Sequence, residues 1–353
     1  MSIGARRPTI RDVAERAGVS LGTVSNVLNR PDRVALATRK RVLDAIEETG
    51  FVRSTAAYQL RAGKSRSVGV VILDVSNPFF TEMARGIEDV CRDSDLVVVL
   101  CSTDELAERE ARYLRLLVEQ RVQGVLITPA GRKLDGVERL RRQGMPVVLL
   151  DSRTGRRDIC AVFVDDVKGG ELAGRHLVEA GHRRIAFLNG PLSIRQCADR
   201  RRGLRQALKR AGLDPDRCVS EYHLGALTAT QGEAVVPKLL ADPARPTGVF
   251  CANDVVALGL LSGLRRLDSS TPEQLAVVGY DDVRFAAMLS PSLTSVRQPI
   301  YELGRTAGRL LLDEMTNPDH RHQQILFEPE LVVRDSSSPL GPEGRGARRG
   351  RRR

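Results

Sequence analysis

Near residue 67 the hydrophobic pattern changes its period. Upstream, apolar residues recur at helical spacing. Downstream, short apolar runs at 68–73, 96–101, 124–127, 146–150, 184–188, 248–251 and 275–279 alternate with amphipathic stretches at 79–92, 105–120, 167–180, 200–211, 230–240, 254–267 and 300–315. Strand and helix in alternation predict parallel sheets covered by helices on both faces, with ligand sites outside the carboxyl ends of the strands. About 270 residues exceed one such sheet, so two lobes are expected.

Charge divides along the same line. Residues 1–66 hold 13 Lys/Arg against 6 Asp/Glu, residues 336–353 hold 6 against 1, and residues 67–335 hold 36 against 37. A neutral core with basic ends makes nucleic acid the leading partner, because charge concentrated in a small terminal domain suits polyphosphate. The tail, rich in Ser, Gly, Pro and Arg, is expected to be disordered, either adding non-specific DNA attraction or simply solvated. No apolar run of about 18 residues and no signal-peptide core are present, so the expectation is a cytoplasmic protein with no membrane contact. Six cysteines without CxxC spacing and five histidines without ligand spacing predict reduced, buried thiols, no metal site and no cofactor. GxGxxG, GxxxxGK[ST] and HExxH are all absent, which argues against an enzyme.

The first 50 residues predict a three-helix head. Ile10, Val13 and Ala14 share one helical face, and Val24, Val27 and Leu28 share another. Gly18 between them can take the left-handed conformation that ends a helix, and Ser20 is a natural N-cap for the next. A third helix over 36–49 turns Val42, Leu43 and Ile46 inward and stops at Gly50-Phe51. Two helices around a tight turn are a helix-turn-helix, whose second helix enters the major groove.

Specific fragments go further. Ile10-Arg-Asp-Val-Ala, Ala17-Gly-Val-Ser, Thr23-Val-Ser, Val27-Leu-Asn29 and Thr38-Arg resemble the head of the lactose/galactose-repressor (LacI/GalR) family. The core fragments Asn77-Pro-Phe-Phe80, Gly190-Pro, Arg200 with Gly203, Ala252-Asn-Asp254, Gly279-Tyr-Asp-Asp282, Leu293-Thr-Ser-Val and Pro329-Glu-Leu-Val-Val-Arg334 extend the resemblance to about residue 337. It implies a flexible N-terminus (1–8), an all-α helix-turn-helix domain (9–53), a hinge helix and linker (54–66), a two-lobed α/β core like the periplasmic binding proteins (67–335) and a disordered basic tail (336–353). Lobe 1 is expected at about 67–161 and 294–323, and lobe 2 at about 162–293 and 324–335.

Function follows from the same resemblance. It implies a transcriptional repressor that binds near-palindromic double-stranded operator DNA as a homodimer, under control of a small effector such as a sugar. Leu21, Gly22 and Asn26 match the base-reading positions, and Ser20, Thr23, Ser25, Asn29 and Thr38 suit phosphate oxygens. Ala57 and Leu60 fall in the hinge helix, where Leu60 is either a minor-groove wedge or an ordinary linker anchor. Phe79 and Phe80 match the mouth of the effector pocket, with Asp151, Arg200 and Asp254 around it. The alternatives are that Asp254 only caps a helix start and that Arg200 belongs to a solvated Arg run. Leu227 stands where many members carry an aromatic that stacks on a sugar ring. The rival classes are a sugar-related enzyme with a DNA-binding head and a solute-binding protein.

Overall fold

Thr9 opens the first helix, α1 (Ile10–Ala17), and its N–H and Oγ both donate to Asp12 Oδ2, at 2.6 and 2.7 Å. This closes the helix start from within. Gly18, at φ 62°, ends α1 in the left-handed region. Ser20 then caps α2 (Leu21–Asn29), accepting from the Thr23 N–H at 3.1 Å. After a short 3-10 turn, α3 (Leu36–Thr49) ends at Gly50, φ 64°. Val13, Ala14, Ala17, Val24, Val27, Val42 and Ala45 form the core of this unit. Leu43 was expected inside, but it is 47% exposed; Ala45 faces inward instead, because 42, 45 and 46 share a face that 43 leaves by one residue.

The computed structural model describes residues 8–51, 65–267 and 275–337. The hinge segment with Ala57 and Leu60 lies outside the described residues, as do positions 1–7 and 338–353. The chain divides into two units, Met1–Ser65 and Arg66–Arg353.

The second unit holds two six-stranded sheets. In the first lobe, β1 (Ser67–Ile72), β2 (Val97–Ser102), β3 (Val125–Ile127), β4 (Val147–Leu150), β5 (Cys160–Val164) and β11 (Gln324–Phe327) lie in the order β11-β5-β4-β3-β1-β2, all parallel. In the second, β6 (Ile185–Asn189), β7 (Val219–His223), β8 (Gly248–Cys251), β9 (Ala276–Asp281), β10 (Thr294–Arg297) and β12 (Glu330–Val332) lie in the order β12-β10-β9-β8-β6-β7, with only β12 antiparallel. Central strands such as Val147-Val-Leu-Leu150 are apolar at every residue because helices bury both their faces.

Helices α4 (Pro78–Arg92), α5 (Ala107–Glu119), α6 (Asp135–Arg142) and α13 (Ile300–Thr316) accompany the first lobe's strands. The second lobe carries α7 (Asp166–Glu179), α8 (Arg195–Arg210), α9 (Pro215–Cys218), α10 (Ala229–Ala234), α11 (Val236–Leu240) and α12 (Asp254–Arg266). The single helix expected over 230–240 is broken in two, because Pro237 has no N–H to give and belongs in the first turn of a new helix.

The lobe boundaries differ from those expected. β5 lies wholly in the first lobe, β10 pairs with β9 in the second, and β11 pairs with β5 in the first. The chain therefore crosses between lobes three times, at 165, at 298–299 and at 328–329. The ordered chain also runs past the expected end at 335. Ser336 is buried and accepts from the Thr294 N–H at 2.9 Å, and Ser337 Oγ lies 2.7 Å from His176 Nε2.

Candidate functional site

In the head, α2 turns Val24 and Val27 inward, which leaves Leu21, Gly22 and Asn26 exposed on the other side. Ser20 and Thr23 are hydrogen-bonded to each other through their hydroxyls at 2.9 Å. Asn29 donates to the Ser25 carbonyl at 2.7 Å and to its hydroxyl at 3.2 Å, so this pair is held along the helix. Thr38 is half-buried near the start of α3. A Cβ on Gly22 would meet only Ser20 Oγ, at an ordinary 3.6 Å, so nothing within the head demands glycine there.

In the core, residues at the carboxyl ends of both sheets converge on a cleft open to solvent. Phe79 and Phe80, in the first turn of α4, meet edge to face at 5.0 Å. Asp151 follows β4 at φ 46°, and Asp281 ends β9 at φ 107°. Both are non-glycine residues in a costly backbone region, a kind of strain that gathers at binding sites. Phe79, Phe80, Asp151, Arg200 and Leu227 all line the cleft, together with Asp74, Asn77, Glu105, Gln196, Asn253 and Asp281.

Asp254 does not line it. Its carboxylate is fully buried, accepting from Ser295 Oγ at 2.6 Å and from the Val283 N–H at 2.9 Å. Its neighbour Asn253 is the N-cap of α12, accepting from the Val256 N–H at 2.9 Å. Adjacent residues therefore divide the work, Asn253 facing the cleft and Asp254 bracing the strands below it.

Arg200 is buried rather than solvated. Nε donates to Asp166 Oδ1 at 2.8 Å, Nη1 to the Ala252 carbonyl at 2.6 Å, and the guanidinium lies 3.6 Å from the Tyr280 ring centroid. Those bonds leave Nη2, 3.9 Å from Asp281 Oδ1, as the nitrogen nearest the cleft carboxylate. Asp281 also accepts from Gln298 Nε2 at 2.7 Å. Burial pushes the Asp281 carboxyl up to about 7 against the pull of Arg200, and pushes Glu105 up to about 6. Asp151 is driven well above its ordinary range, by burial first and by Asp166 second. The two lobes are bridged by Gln196, whose Nε2 donates to Asp151 Oδ2 at 2.8 Å.

Asp281, Asn253 and Gln196 are cleft residues that reasoning from sequence did not single out. The first two carried a usable signal, since each stands just beyond or at the carboxyl end of a strand. Gln196 carried none, because its helix begins five residues earlier than the amphipathic pattern suggested.

Comparison with known proteins agrees with this geometry. Residues 9–54 match the model for bacterial regulatory proteins of the lacI family, and residues 175–337 match the periplasmic binding protein-like domain. The HTH-type transcriptional repressor PurR of Vibrio vulnificus (strain CMCP6) is 34% identical over 330 residues, covering 93% of this chain and 98% of that protein. A transcriptional regulator CelR–cellobiose complex is 33% identical with a TM-score of 0.70, covering 94% of this chain and all of the other. The lac repressor dimer bound to operator and the anti-inducer ONPF is 27% identical with a TM-score of 0.80, covering 95% and 100%. With a relative matched along nearly its whole length, the chain belongs to the LacI family of bacterial regulatory proteins and is a DNA-binding transcriptional regulator with an effector-binding core.

Proposed function

We propose that this chain acts as a cytoplasmic homodimeric repressor on a near-palindromic operator, with its operator affinity set by a neutral, polyhydroxylated effector held between the lobes. The observation that carries the ligand class is the composition of the cleft. Four carboxyl side chains, Asp74, Glu105, Asp151 and Asp281, face one guanidinium, Arg200, which is already paired with Asp166. Among the described residues of the lining, an anionic ligand such as a sugar phosphate would find no cation besides Arg200, and carboxyl groups in place of further donors. A polyol finds acceptors for its hydroxyls, and Asn77, Gln196 and Asn253 supply amides that both donate and accept. Relatives solved with cellobiose or ribose favour the same class. Leu227 at the cleft wall gives apolar contact without an aromatic face, so any ring contact falls to Phe79 and Phe80 in the same lining.

Homodimerisation is supported by β2. This edge strand leaves Val97, Val99 and Leu100 exposed, an apolar ribbon that a second copy would cover. One recognition helix per protomer then meets two half-sites. Asn26 supplies side-chain readout on α2, Gly22 permits close backbone approach, and Ser20, Thr23, Ser25, Asn29 and Thr38 hold register on phosphates. Ala57 and Leu60, in the segment before β1, are the proposed minor-groove contacts. Nothing in this assignment requires catalysis, and regulation rather than turnover is the reading.

Selection of operator from random DNA, followed by calorimetry with neutral sugars, sugar phosphates and nucleobases, tests the proposal. Neutral sugars should bind and shift operator affinity. Tighter binding of a sugar phosphate, or of a nucleobase, would overturn the ligand class.

A further inference from the structure

At the opposite end of the first lobe from the cleft, four potential metal ligands meet. Cys160 opens β5, Glu314 lies in the last turn of α13, and His320 and His322 sit in the connection from α13 to β11. One ligand atom from each lies within 4.8 Å of all the others. Cys160 Sγ is 3.3 Å from His320 Nε2 and 3.8 Å from His322 Nδ1. Tetrahedral zinc, with bonds of about 2.0–2.3 Å, spaces its ligand atoms by roughly 3.3–3.8 Å, so only a small contraction is needed.

We infer that this cluster is a zinc site, with Cys160, Glu314, His320 and His322 as its four ligands. Two observations besides proximity point to a cation. First, Glu314 Oε2 is buried with no hydrogen-bond partner, an expensive vacancy that a metal bond fills. Second, His320 is already oriented as a ligand: its Nδ1 faces Asp313 Oδ2 at 2.6 Å, and Asp313 Oδ1 accepts from Asn317 Nδ2 at 3.0 Å. A carboxylate accepts only, so the ring proton sits on Nδ1 and the Nε2 lone pair points at Cys160, the arrangement of a carboxylate–histidine–zinc triad.

A set of four protein ligands closes the coordination shell, so the ion would be structural rather than catalytic. It would tie the end of α13 to the starts of β5 and β11. The partly exposed His322 ring gives the ion a way in. Sequence spacing could not show the site, because Cys160 and Glu314 are far apart in the chain and His320-Arg-His322 alone is too short a motif.

Cobalt(II) titration of the untagged full-length protein, stripped by chelator, tests the inference. One equivalent per chain should produce a thiolate-to-cobalt charge-transfer band and the strong visible bands of tetrahedral cobalt, both lost when Zn2+ is added. Cys160→Ser should abolish the charge-transfer band, His322→Ala should abolish the tetrahedral signature, and Asp313→Asn should weaken binding about 10–100-fold. Stoichiometric Zn2+ should raise the melting midpoint of the wild type and not that of His322→Ala. Should Cys160→Ser fail to fold, His322→Ala, at a partly exposed ring, carries the same comparison. No saturable band in the wild type, or a band that survives in Cys160→Ser or His322→Ala, would overturn the assignment and leave a hydrogen-bonded Cys-His cluster.

Discussion

Asp254 and Asp281 are both buried carboxyls in the second lobe, yet only Asp281 opens onto the cleft. Their substitutions should separate cleanly. Asp254→Ala strands the Val283 N–H and Ser295 Oγ, and should cost roughly 2–4 kcal/mol of core stability, read as a lower denaturation midpoint. Asp281→Asn should leave the fold in place while weakening the proposed effector. It should also change the pH dependence of stability. With its carboxyl pushed up to about 7, folded Asp281 keeps a proton that the unfolded chain gives up near pH 4. Its contribution is therefore full below about pH 4 and is lost as the pH rises through about 7. Melting curves of the wild type, measured against Asp281→Asn, should fall across that window and run level above it; a constant gap from about pH 4 to about pH 8 would contradict the shift. In the head, Gly22→Ala should stabilise α2 by about 0.5–1 kcal/mol, since the site has room for a methyl group. If close approach to the bases is why glycine stands there, operator affinity should fall in the same variant.

Elements were legible where they were long and periodic, and illegible where they were short or shared. The three head helices follow from cap and face patterns, with Gly18 and Ser20 doing at the turn what their chemistry suggests. Strands β5, β7, β10, β11 and β12 escaped notice because each is short, and all but the apolar β5 are of mixed character, so that strand state comes from the partner. Helix contacts were illegible too. Gly170 and Gly203 lie where α7 and α8 touch, and a Cβ on either would overlap the other helix's backbone, at the Arg200 and Val167 carbonyl oxygens respectively. Gly86 and Gly304 do the same for α4 and α13, and Gly232 and Gly259 for α10 and α12. Composition shows these glycines, but only the fold shows what each one admits. Gly203→Ala should force α8 off α7 and carry Arg200 away from Asp166, costing about 1–3 kcal/mol or more. A melting midpoint unchanged from the wild type would mean that the two helices can part freely.

At the scale of the whole molecule, the exposed ribbon on β2 yields a test of assembly. Val99→Arg should give a monomer by sedimentation and lose high-affinity operator binding, while the isolated fold stays intact. Effector and operator should be coupled by roughly 1–3 kcal/mol in either direction, measured as the shift each causes in the other's affinity. Two lobes and a DNA-binding head were readable from the change of period and the distribution of charge. The true lobe membership of β5, β10 and β11 was not, since the crossings are one or two residues long and carry no pattern. Those crossings have a mechanical consequence. Two lobes joined by three strands of backbone are constrained along one side, and a hinge there is the motion this connection favours. Two of the strands are tied directly, the Asp165 N–H donating to the Phe327 carbonyl at 3.0 Å. The third carries Gln298, whose side chain grips Asp281. A molecule wedged between the lobes thus pulls on the pivot itself, and what it transmits is an aperture: bulkier effectors hold the jaws wider, and repression should vary by degrees with the girth of the ligand.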